Sequence, residues 1–375
     1  MKILHLITCL NKGGAESALF FLVTRDKCNT HEIISMMGDN DYKATLTMYG
    51  IPVHCLNLSR GKLSLSSLLK LYQLIHTIQP DVVQTWMDHA NLVGGIVARM
   101  AGCPVVWGLR HTRIDSGISK LSTRFTYKIC AYLSNLVPKK IISCSEKGVQ
   151  SHIEQGYASK KMIAVSNGYD LRLSVPDDPS GAQLRTEWNV PENCLVLGMV
   201  ARWHPQKDYA NLIHALSLFS ARSQHEWRGI FVGSGMEVSN IELVDLLVRY
   251  GVRDKVTLLG QRNDIPSIMN ALDINVLSSR GGEAFPNVVA EAMVCGTPCI
   301  VTNVGDAAVI VGSTGWVVPP RDAQQLAEAL HVAIVEMNNK EAWRKRKKAC
   351  RKRIEENFNI EKMVNAYNAV WESIV

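Results

Sequence analysis

Residues 273–293 read DINVLSSRGGEAFPNVVAEAM, and this stretch decides the fold class. The run DINVLSS is short and apolar, which predicts a buried strand. Gly281 and Gly282 permit a tight turn, and Pro286 suits the first turn of the helix predicted for NVVAEAMVCG. A buried strand followed closely by a helix is the repeating unit of parallel sheets. The stretch therefore predicts an α/β protein.

The same alternation of strands and helices extends along the rest of the chain. A second series starts at LVLGMVA (195–201) and continues through GIFVGS, KVTLLG, TPCIVTN and TGWVVPP. In the first half, strands are predicted at 3–9, 32–37, 52–57, 81–86, 104–109, 140–144 and 162–166. Helices are predicted there near 15–25, 63–79, 89–101, 119–135 and 145–155. This order predicts parallel sheets covered on both faces.

Chain length and one polar segment indicate two domains. The chain has 375 residues, more than one core usually supports, and SVPDDPSG at 174–181 has the composition of a linker. We expect two Rossmann-like, doubly wound domains facing across a cleft, the first over 1–178 and the second over 179–357. The segment 358–375 is expected to form a C-terminal helix that packs back on the first domain.

Composition excludes several classes of protein. Hydrophobic residues make up 47% and charged residues 20% of the chain, as in soluble globular proteins. The ten cysteines include no C-x-x-C pair, which favours a reduced, cytoplasmic protein over a disulfide framework or a zinc site. The first apolar run is too short for a signal peptide, and no segment approaches 18 uninterrupted apolar residues, so no membrane span is predicted.

The net charge of +7 is unevenly distributed. Residues 1–180 hold 20 Lys and Arg against 13 Asp and Glu, whereas residues 181–375 hold 21 of each. The basic, aromatic-bearing stretch 113–140 is compatible with an anionic membrane surface and equally with a solvated helix face. The basic run 344–353 has a composition found in nucleic-acid-binding proteins, but acidic residues follow it directly in the sequence. An exposed helix face is favoured there, and no nucleic-acid partner is expected.

Two carboxylates flank the predicted helix start in the opening stretch. Glu291 lies about five residues into the helix, roughly 7–8 Å along its axis from the start. A helix N-terminus offers free amides and a positive dipole to an anion. A diphosphate between two sugar rings spans a comparable distance, so Glu283 and Glu291 can bind the hydroxyls of a transferred sugar and of a ribose. The first residues after Glu283 are Ala284, Phe285, Pro286 and Asn287, and the amides between the two glutamates would face phosphate.

With these residues the chain resembles the family-4 retaining glycosyltransferases of the GT-B fold. Their signature is two glutamates separated by seven residues, matched here by Glu283 and Glu291 within GGEAFPNVVAEAM. The resemblance implies two Rossmann-like domains and a nucleotide-sugar donor, most commonly a UDP-sugar. No metal or other cofactor is implied.

A pair of cations opens the second half in MVARWHPQKDYANLI. Arg202 and Lys207 follow a strand, and Asp208 is the predicted cap of the next helix. Ligands bind at this edge of parallel sheets, and two cations suit a diphosphate leaving group. The resemblance gives them the same position, although relatives usually have Gly where this chain has Ala201. Surface salt bridges are the alternative interpretation.

Three glycine or arginine turns add to the resemblance. The turn NKGGAE, which includes Gly13, Gly14 and Glu16, follows the first strand and does not have the G-x-G-x-x-G spacing of a dinucleotide site. In the resembled family such amides approach the donor phosphate or the acceptor; the glycines would also serve a plain strand-to-helix turn. Gly233 in FVGSG and Arg262 in LGQR correspond to loops that the family places near the base.

The first domain is expected to bind the acceptor. Asp88 and His89 follow one predicted strand, and Arg110 and His111 follow another. Many relatives have a histidine near the position of Arg110 and His111, beside the sugar, which makes His111 a candidate at the reacting carbon. The residues Asp39, Asn40 and Asp41 form a D-x-D, the metal-binding pattern of another glycosyltransferase architecture. Because a phosphate site without metal is already present, no metal is expected.

Together these features predict transfer of a hexose or N-acetylhexosamine, with retention, to a lipid-linked glycan of bacterial O-antigen, capsule or exopolysaccharide. The catalytic residues would be Glu283, Arg202, Lys207 and His111. The protein is expected to be cytoplasmic and peripheral at the inner face of the cell membrane. The alternatives are a nucleotide-sugar 2-epimerase, which would need further acid and base carboxylates, and a non-catalytic nucleotide-sugar-binding protein.

Overall fold

The computed structural model describes residues 1–11, 13–38, 41–58, 64–112, 121–172, 175–176, 179–191 and 193–375. The chain forms two compact units. The N-terminal unit comprises Met1–Gly168 with Ile360–Val375, and the C-terminal unit comprises Tyr169–Asn359. The predicted linker at 174–181 lies partly outside the described residues, and its last three residues belong to a helix. The D-x-D residues Asp39 and Asn40 also lie outside the described residues.

The N-terminal unit is built on a seven-stranded parallel sheet in the order β3-β2-β1-β4-β5-β6-β7. Its strands are β1 Lys2–Ile7, β2 Thr30–Ser35, β3 Val53–Cys55, β4 Val82–Trp86, β5 Val105–Leu109, β6 Lys140–Ser143 and β7 Met162–Ala164. Its helices are α1 Gly14–Arg25, α2 Lys43–Met48, α3 Leu65–Ile78, α4 Gly95–Met100, α5 Leu121–Leu133 and α6 Glu146–Glu154. All seven strands lie where the sequence predicted them; helix α2 was not predicted.

The C-terminal unit repeats the plan with a six-stranded parallel sheet in the order β10-β9-β8-β11-β12-β13. Its strands are β8 Leu195–Val200, β9 Trp227–Val232, β10 Val256–Leu258, β11 Ile274–Leu277, β12 Cys299–Thr302 and β13 Trp316–Val318. Its helices are α7 Pro179–Glu187, α8 Tyr209–Arg222, α9 Ile241–Arg249, α10 Ile265–Ala271, α11 Asn287–Val294, α12 Ala307–Val311, α13 Ala323–Met337 and α14 Lys340–Asn357.

The sequence of β1 explains why helices cover both faces of the N-terminal sheet. Ile3 and Ile7 point to one face and join a cluster with residues of α1, whereas Leu4 and Leu6 point to the other and pack with residues of α3 and α4. All four side chains are fully buried. Because side chains alternate along a strand, a continuous apolar run is buried on both faces.

The last helix, α15 (Ile360–Glu372), belongs to the N-terminal unit. Its Tyr367 and Trp371 are fully buried, and the Trp371 indole N–H donates to the Gln84 side chain at 3.1 Å. The rings of Tyr367 and Trp86 stack with centroids 5.9 Å apart. A helix whose Trp371 lies 287 positions beyond Gln84 thus completes the core of the first sheet.

Two details near the helix starts differ from the sequence analysis. Helix α11 begins at Asn287, so Pro286 is its N-cap residue, with an extended ψ of 97°, and does not lie in the first turn. Asp208 does occupy the N-cap position of α8. However, it adopts a left-handed conformation (φ 51°, ψ 52°) and its side chain makes no capping hydrogen bond.

Candidate active site

Two loops meet at the carboxyl edge of the C-terminal sheet, where β8 and β11 are neighbours. The backbone N–H of Arg280 donates to the carbonyl of Gln206 at 2.8 Å. The Ser278 hydroxyl donates to the carbonyl of Lys207 at 2.8 Å, and the Thr302 hydroxyl donates to the carbonyl of Ser279 at 2.6 Å. The first two bonds fix the loop after β8 against the loop after β11, and the third holds the latter loop to the end of β12.

The centre of this site is an ion pair between residues 76 positions apart. Lys207 Nζ donates to Glu283 Oε1 at 2.6 Å, and the Ser279 hydroxyl donates to the same oxygen at 2.8 Å. Only 19% of the Lys207 side chain and 14% of the Glu283 side chain are exposed. The charges are partly screened from water, so their attraction is stronger than that of a surface pair.

A glycine permits the close approach of the two loops. Gly282 has a φ of +79°, and a Cβ added there would collide with the Gln206 side chain. At Gly281 a Cβ would meet no atom within 4 Å. Of the two glycines in the predicted tight turn, Gly282 is therefore required by its backbone conformation, whereas Gly281 has space for a side chain.

The residues between the two glutamates present mainly backbone to the site. Ala284 and Phe285 are buried, and Ala284 accepts a hydrogen bond from the backbone N–H of Asp306 at 2.8 Å. Asn287, the first residue of α11, accepts from the Tyr169 hydroxyl at 2.8 Å. The N-terminal amides of α11 point towards the same sheet edge as the Lys207–Glu283 pair, which is the arrangement that favours an anion.

Glu291 lies half-buried in the second turn of α11, and burial raises the pKa of its carboxyl group to about 7. A carboxyl group surrounded by protein is costly to ionise, since the charge loses its hydration. Glu291 therefore titrates close to neutral pH, where a polar ligand can change its protonation.

The remaining residues predicted for this half lie in different environments. Arg202 is exposed, and Gly233 has a φ of +139° that brings the turn after β9 against the carbonyl of Ala201. Arg262 forms a two-point ion pair with Asp264, at 2.8 Å and 2.5 Å. The structure thus gathers Arg202, Lys207 and Glu283 at adjacent loops, whereas Arg262 already has a carboxylate partner.

Two residues of this site were missed by sequence reasoning. Ser279 binds Glu283, and His204 lies within the cationic group: burial, together with Arg202, Lys207 and Arg280, lowers its pKa. The position of Ser279 directly after β11, at the edge where ligands bind, was a signal that could have identified it.

In the N-terminal unit, Gly13 and Gly14 form the turn between β1 and α1. Gly13 is the N-cap of α1, and a Cβ added there would meet the carboxylate of Glu16. Glu16 is buried, which raises the pKa of its carboxyl group, while the Arg110 charge opposes that shift. The turn thus holds a carboxylate close to the sheet edge.

Asp88 and His111 form an ion pair at the ends of β4 and β5. His111 Nε2 donates to Asp88 Oδ2 at 2.7 Å. Burial alone would raise the pKa of Asp88, but the positive charge and the hydrogen bond of His111 hold it below its usual value. Burial alone would lower the pKa of His111, but Asp88 raises it above its usual value. Each group of the pair therefore favours the charged form of the other.

Three more rings surround His111. The ring centroids of His152 and Tyr127 lie 5.3 Å and 5.6 Å from that of His111, and Tyr157 packs edge-on against His152 at 5.0 Å. His152 Nδ1 donates to the carbonyl of Gly148 at 2.7 Å. Among the described residues, no partner is found for Asp88 Oδ1, His111 Nδ1, His152 Nε2 or either tyrosine hydroxyl. Buried polar atoms are normally paired, so this group is suited to receive water or a polar ligand.

His89 and Arg110, the other two residues predicted for the acceptor, differ in their surroundings. His89 is exposed. The Arg110 guanidinium donates to Asn167 at 2.6 Å and to the Tyr367 hydroxyl at 3.0 Å, and it lies over the Trp86 ring at 4.3 Å. Arg110 therefore also holds α15 to the sheet.

The described residues contain no cluster of three or more His, Cys, Asp or Glu that could hold a metal ion. Likewise, none of the helices in the described ranges is both long and apolar enough to span a bilayer. The basic run 344–353 lies in α14, where Arg346 forms a two-point ion pair with Glu336 at 2.7 Å and 2.6 Å.

Comparison with known proteins agrees with this geometry. The family model for glycosyltransferase family 4 matches residues 4–173, and a second model, glycosyl transferases group 1, matches residues 194–334. The chain belongs to glycosyltransferase family 4. The resemblance that the sequence predicted is thereby confirmed, and this family-4 enzyme is a glycosyltransferase.

Curated relatives of the family-4 enzyme are bacterial. An Escherichia coli UDP-Gal:α-D-GlcNAc-diphosphoundecaprenol α-1,3-galactosyltransferase is 27% identical over 87% of this chain and 83% of its own length. The Staphylococcus aureus capsular polysaccharide glycosyltransferase CapM is 25% identical over 83% and 79% of the two chains.

The Anabaena protein HepE, whose crystal structure holds UDP-glucose, aligns with a TM-score of 0.85 at 24% identity over the whole of both chains. A lipopolysaccharide outer core galactosyltransferase, WaaB, aligns with a TM-score of 0.73 at 16% identity. These likenesses confirm the predicted fold class of two doubly wound α/β domains of the GT-B type.

Proposed function

We propose that the family-4 enzyme transfers a hexose or N-acetylhexosamine, with retention, from a UDP-sugar to a lipid-linked saccharide during synthesis of a bacterial surface polysaccharide. One observation carries the proposal: Lys207, Glu283 and Ser279 form a connected polar group at the start of α11, beside Arg202. The E. coli and S. aureus relatives support the acceptor class, and the UDP-bound Anabaena structures support the donor.

The Lys207–Glu283 pair suggests how the donor binds. Lys207 would exchange its bond to Glu283 for one to the donor diphosphate, joined by Arg202 and by the amides of α11. Glu283 would then be free to accept hydrogen bonds from the hydroxyls of the transferred sugar. Glu291, one turn further along the helix, would bind the ribose. Gly13, Gly14, Gly233 and Arg262 are proposed as further donor contacts.

The distribution of charge supports a retaining route. As the diphosphate departs, Arg202 and Lys207 would stabilise its growing negative charge without proton transfer. The acceptor hydroxyl would attack from the same face, and the departing phosphate oxygen would take its proton. This route needs neither a protein nucleophile nor a metal ion.

The N-terminal unit would bind the acceptor. The Asp88–His111 pair lies at the edge of the sheet, and buried polar atoms without a partner among the described residues surround it. We propose that His111 lies at the reacting carbon and that Glu16, Asp88, His89 and Arg110 contribute to acceptor binding. Asp88 fixes the orientation of His111 through the 2.7 Å bond.

Transfer assays with Glu283→Gln and Lys207→Ala variants test the donor site. Lys207 is directed at the departing charge, and loss of such a group typically costs about 3–4 kcal/mol, so we expect kcat/KM of Lys207→Ala to fall at least 100-fold. Glu283→Gln weakens the bonds to the sugar hydroxyls and should lower kcat/KM at least about tenfold, since a hydrogen bond to a charged group is worth about 1.5–3 kcal/mol. Lys345→Ala, which removes an exposed cation paired with Glu341, is the matched control and should retain full activity. Near-normal transfer by folded Glu283→Gln and Lys207→Ala proteins would refute the site.

The same assay separates the alternative functions. Incubation with UDP-sugar alone should give no epimerised sugar, and addition of a polyprenyl-diphosphate-linked saccharide should give product. The anomeric configuration of that product, measured by NMR, should match the donor. A 2-epimer formed from donor alone would instead identify an epimerase, and donor binding without turnover a non-catalytic protein.

Helix α5 supports a peripheral site at an anionic membrane. Phe125 and Tyr132, seven residues apart on one helix face, are 67% and 75% exposed, and Arg124 and Lys128 are exposed beside them. Exposed aromatic rings with cations suit the interface of an anionic bilayer. Sedimentation with anionic liposomes should be salt-sensitive and weakened in the Phe125→Ser/Tyr132→Ser double variant. Absence of binding at moderate salt would exclude this location.

A further inference from the structure

A cavity lies at Asp208, the residue that follows Lys207. Its volume is about 430 Å³, within the range of sites for small molecules. Its lining includes Asp208, Asn211, His214, Tyr250, Arg280 and Arg321, but neither Lys207 nor Glu283. The cavity therefore lies outside the proposed donor contacts, although Arg280 borders both.

One end of the cavity is cationic. Arg280 follows β11 and Arg321 follows β13, and both guanidinium groups act on the charge of Asp208. Asp208 is the one acid among the lining residues. Burial raises the pKa of its carboxyl group, so the acid is also less readily ionised than usual. Two arginines against a single carboxyl group leave an excess of positive charge.

Two buried donor atoms at this end lack acceptors. Among the described residues, no hydrogen-bond partner is found for Arg280 Nε or for Asn211 Nδ2, and both atoms are inaccessible to solvent in the empty cavity. A buried donor without an acceptor is unfavourable. A rotation of the Arg280 and Asn211 side chains towards the cavity would let oxygen atoms of a bound anion accept from both.

The start of α8 contributes further donors. This helix has 14 residues and begins directly after Asp208, whose carboxyl group interacts with the backbone N–H of Asn211. The positive end of the helix dipole therefore adds to the charge of the arginines at this end of the cavity.

The other end of the cavity is a flat wall. The rings of His214 and Tyr250 stack with centroids 5.0 Å apart and an angle of 28° between their planes. Asn211 and His214 lie on the same face of α8, because residues three apart are neighbours on a helix. Asp208 and His214 are separated by about 9 Å along the helix axis, so the cationic end and the ring wall lie one small molecule apart.

We propose that this cavity binds a small phosphate monoester whose phosphate is held by Arg280, Arg321 and Asn211 and whose ring packs on His214 and Tyr250. Sugar phosphates and nucleoside monophosphates share this chemistry. The site is additional to the donor site and does not depend on the proposed transfer reaction.

Isothermal titration of the full chain with glucose 6-phosphate, UMP and inorganic phosphate, at constant ionic strength, tests the proposal. We expect saturable binding of at least one ester, tighter than that of inorganic phosphate, and weakened at least tenfold in Arg321→Gln and in Asn211→Ala. The control Arg222→Gln removes an exposed arginine from the same helix and should bind as the unmodified protein does.

A Lys207→Ala variant separates this cavity from the donor site. Binding that persists in Lys207→Ala and is lost in Arg321→Gln supports the proposal. Binding lost in Lys207→Ala would place the ester in the donor site and overturn it. Absence of saturable binding, or full binding by both Arg321→Gln and Asn211→Ala, would also overturn it. Equal affinity for inorganic phosphate and both esters would overturn the role of the ring wall. None of these measurements requires turnover, so failure of this binding proposal can be distinguished from failure of the transfer proposal.

Discussion

At the scale of single residues, the carboxyl group of Glu291 shows how position changes chemistry. Its pKa is raised to about 7 by burial, whereas Glu283 is held beside a lysine. The two glutamates of one motif therefore lie in different surroundings. Glu283 acts as a partner of a cation, and Glu291 as a group that can change its protonation when a ligand arrives.

Binding of UDP should release a proton from Glu291. If ribose hydroxyls bind the ionised carboxylate, UDP binding lowers a pKa that starts near 7, and UDP affinity rises between pH 6 and pH 8. Calorimetry in two buffers with different ionisation enthalpies measures the released proton. In Glu291→Gln, the only proton release that remains should come from the ionisation of UDP itself. Equal proton release by both proteins would contradict the role of Glu291.

His152 should make the N-terminal unit sensitive to acid. Burial, with the His111 charge, lowers the pKa of His152 to about 4, so the unfolded chain binds a proton first as pH falls below about 6.5. Stability from His152 is thus complete above pH 6.5 and falls by roughly 3 kcal/mol by pH 4. His111 has the opposite sign: its raised pKa adds stability below pH 6.5 that is lost as pH rises through its folded value.

Denaturant unfolding at several pH values measures this effect. In His152→Leu the free energy of unfolding should fall less between pH 7 and pH 4 than in the unmodified protein. His76→Leu replaces an exposed histidine of α3 and should leave the pH dependence unchanged. Parallel pH curves for His152→Leu and the unmodified protein would show that His152 is not the acid-sensitive group.

At the scale of elements, the loop between β11 and α11 depends on one glycine. Gly282 has a left-handed φ and no room for a Cβ beside Gln206, whereas Gly281 has room. Gly282→Ala should shift the loop that carries Glu283 and reduce kcat/KM at least tenfold, because an alanine at positive φ costs about 1 kcal/mol before any collision. Gly281→Ala should remain within about twofold. Similar activities of the two variants would argue against a strict turn.

Helix α15 is the second element with a measurable role. Trp371 is fully buried against the first sheet and bonds Gln84. Trp371→Ala should lower the free energy of unfolding of the N-terminal unit by about 3–5 kcal/mol, the usual cost of emptying such a site. Urea unfolding followed by circular dichroism measures it, with Glu372→Ala at an exposed neighbouring position as the control. A cost below 1 kcal/mol would mean that α15 is not part of the core.

At the scale of the whole molecule, the proposed donor groups are concentrated in the C-terminal unit, apart from Gly13 and Gly14. Hydrogen exchange with saturating UDP should therefore slow most in the loops at 201–207 and 279–287, since bound ligand stabilises the segments it contacts. Slower exchange at 13–16 would support a donor contact by the Gly13–Gly14 turn. Helix α14 provides an internal reference that should not change.

Local pattern was sufficient for most of the fold. The buried strands, the Gly pair and the two glutamates of residues 273–293 were recognisable because a parallel strand is a continuous apolar run and a turn has its own residues. Helix α2 was missed, since its six residues KATLTM carry too short a pattern to be distinguished from a loop. The start of α11 was displaced by one residue because the ψ of Pro286 is set by the surrounding loop.

The sequence by itself determined two α/β domains, the family, and the residue types that could bind a diphosphate and a sugar. Only the tertiary structure decided which of those residues meet. Lys207 pairs with Glu283, His111 with Asp88, and Arg110 with Tyr367 across 76, 23 and 257 positions. Lys207 and Glu283 meet because the sheet order makes the non-consecutive strands β8 and β11 neighbours, and Asp88 and His111 meet because β4 and β5 are neighbours. Arg110 meets Tyr367 because α15 packs on the same sheet. That order is a property of the packed sheet, and no local stretch of sequence contains it.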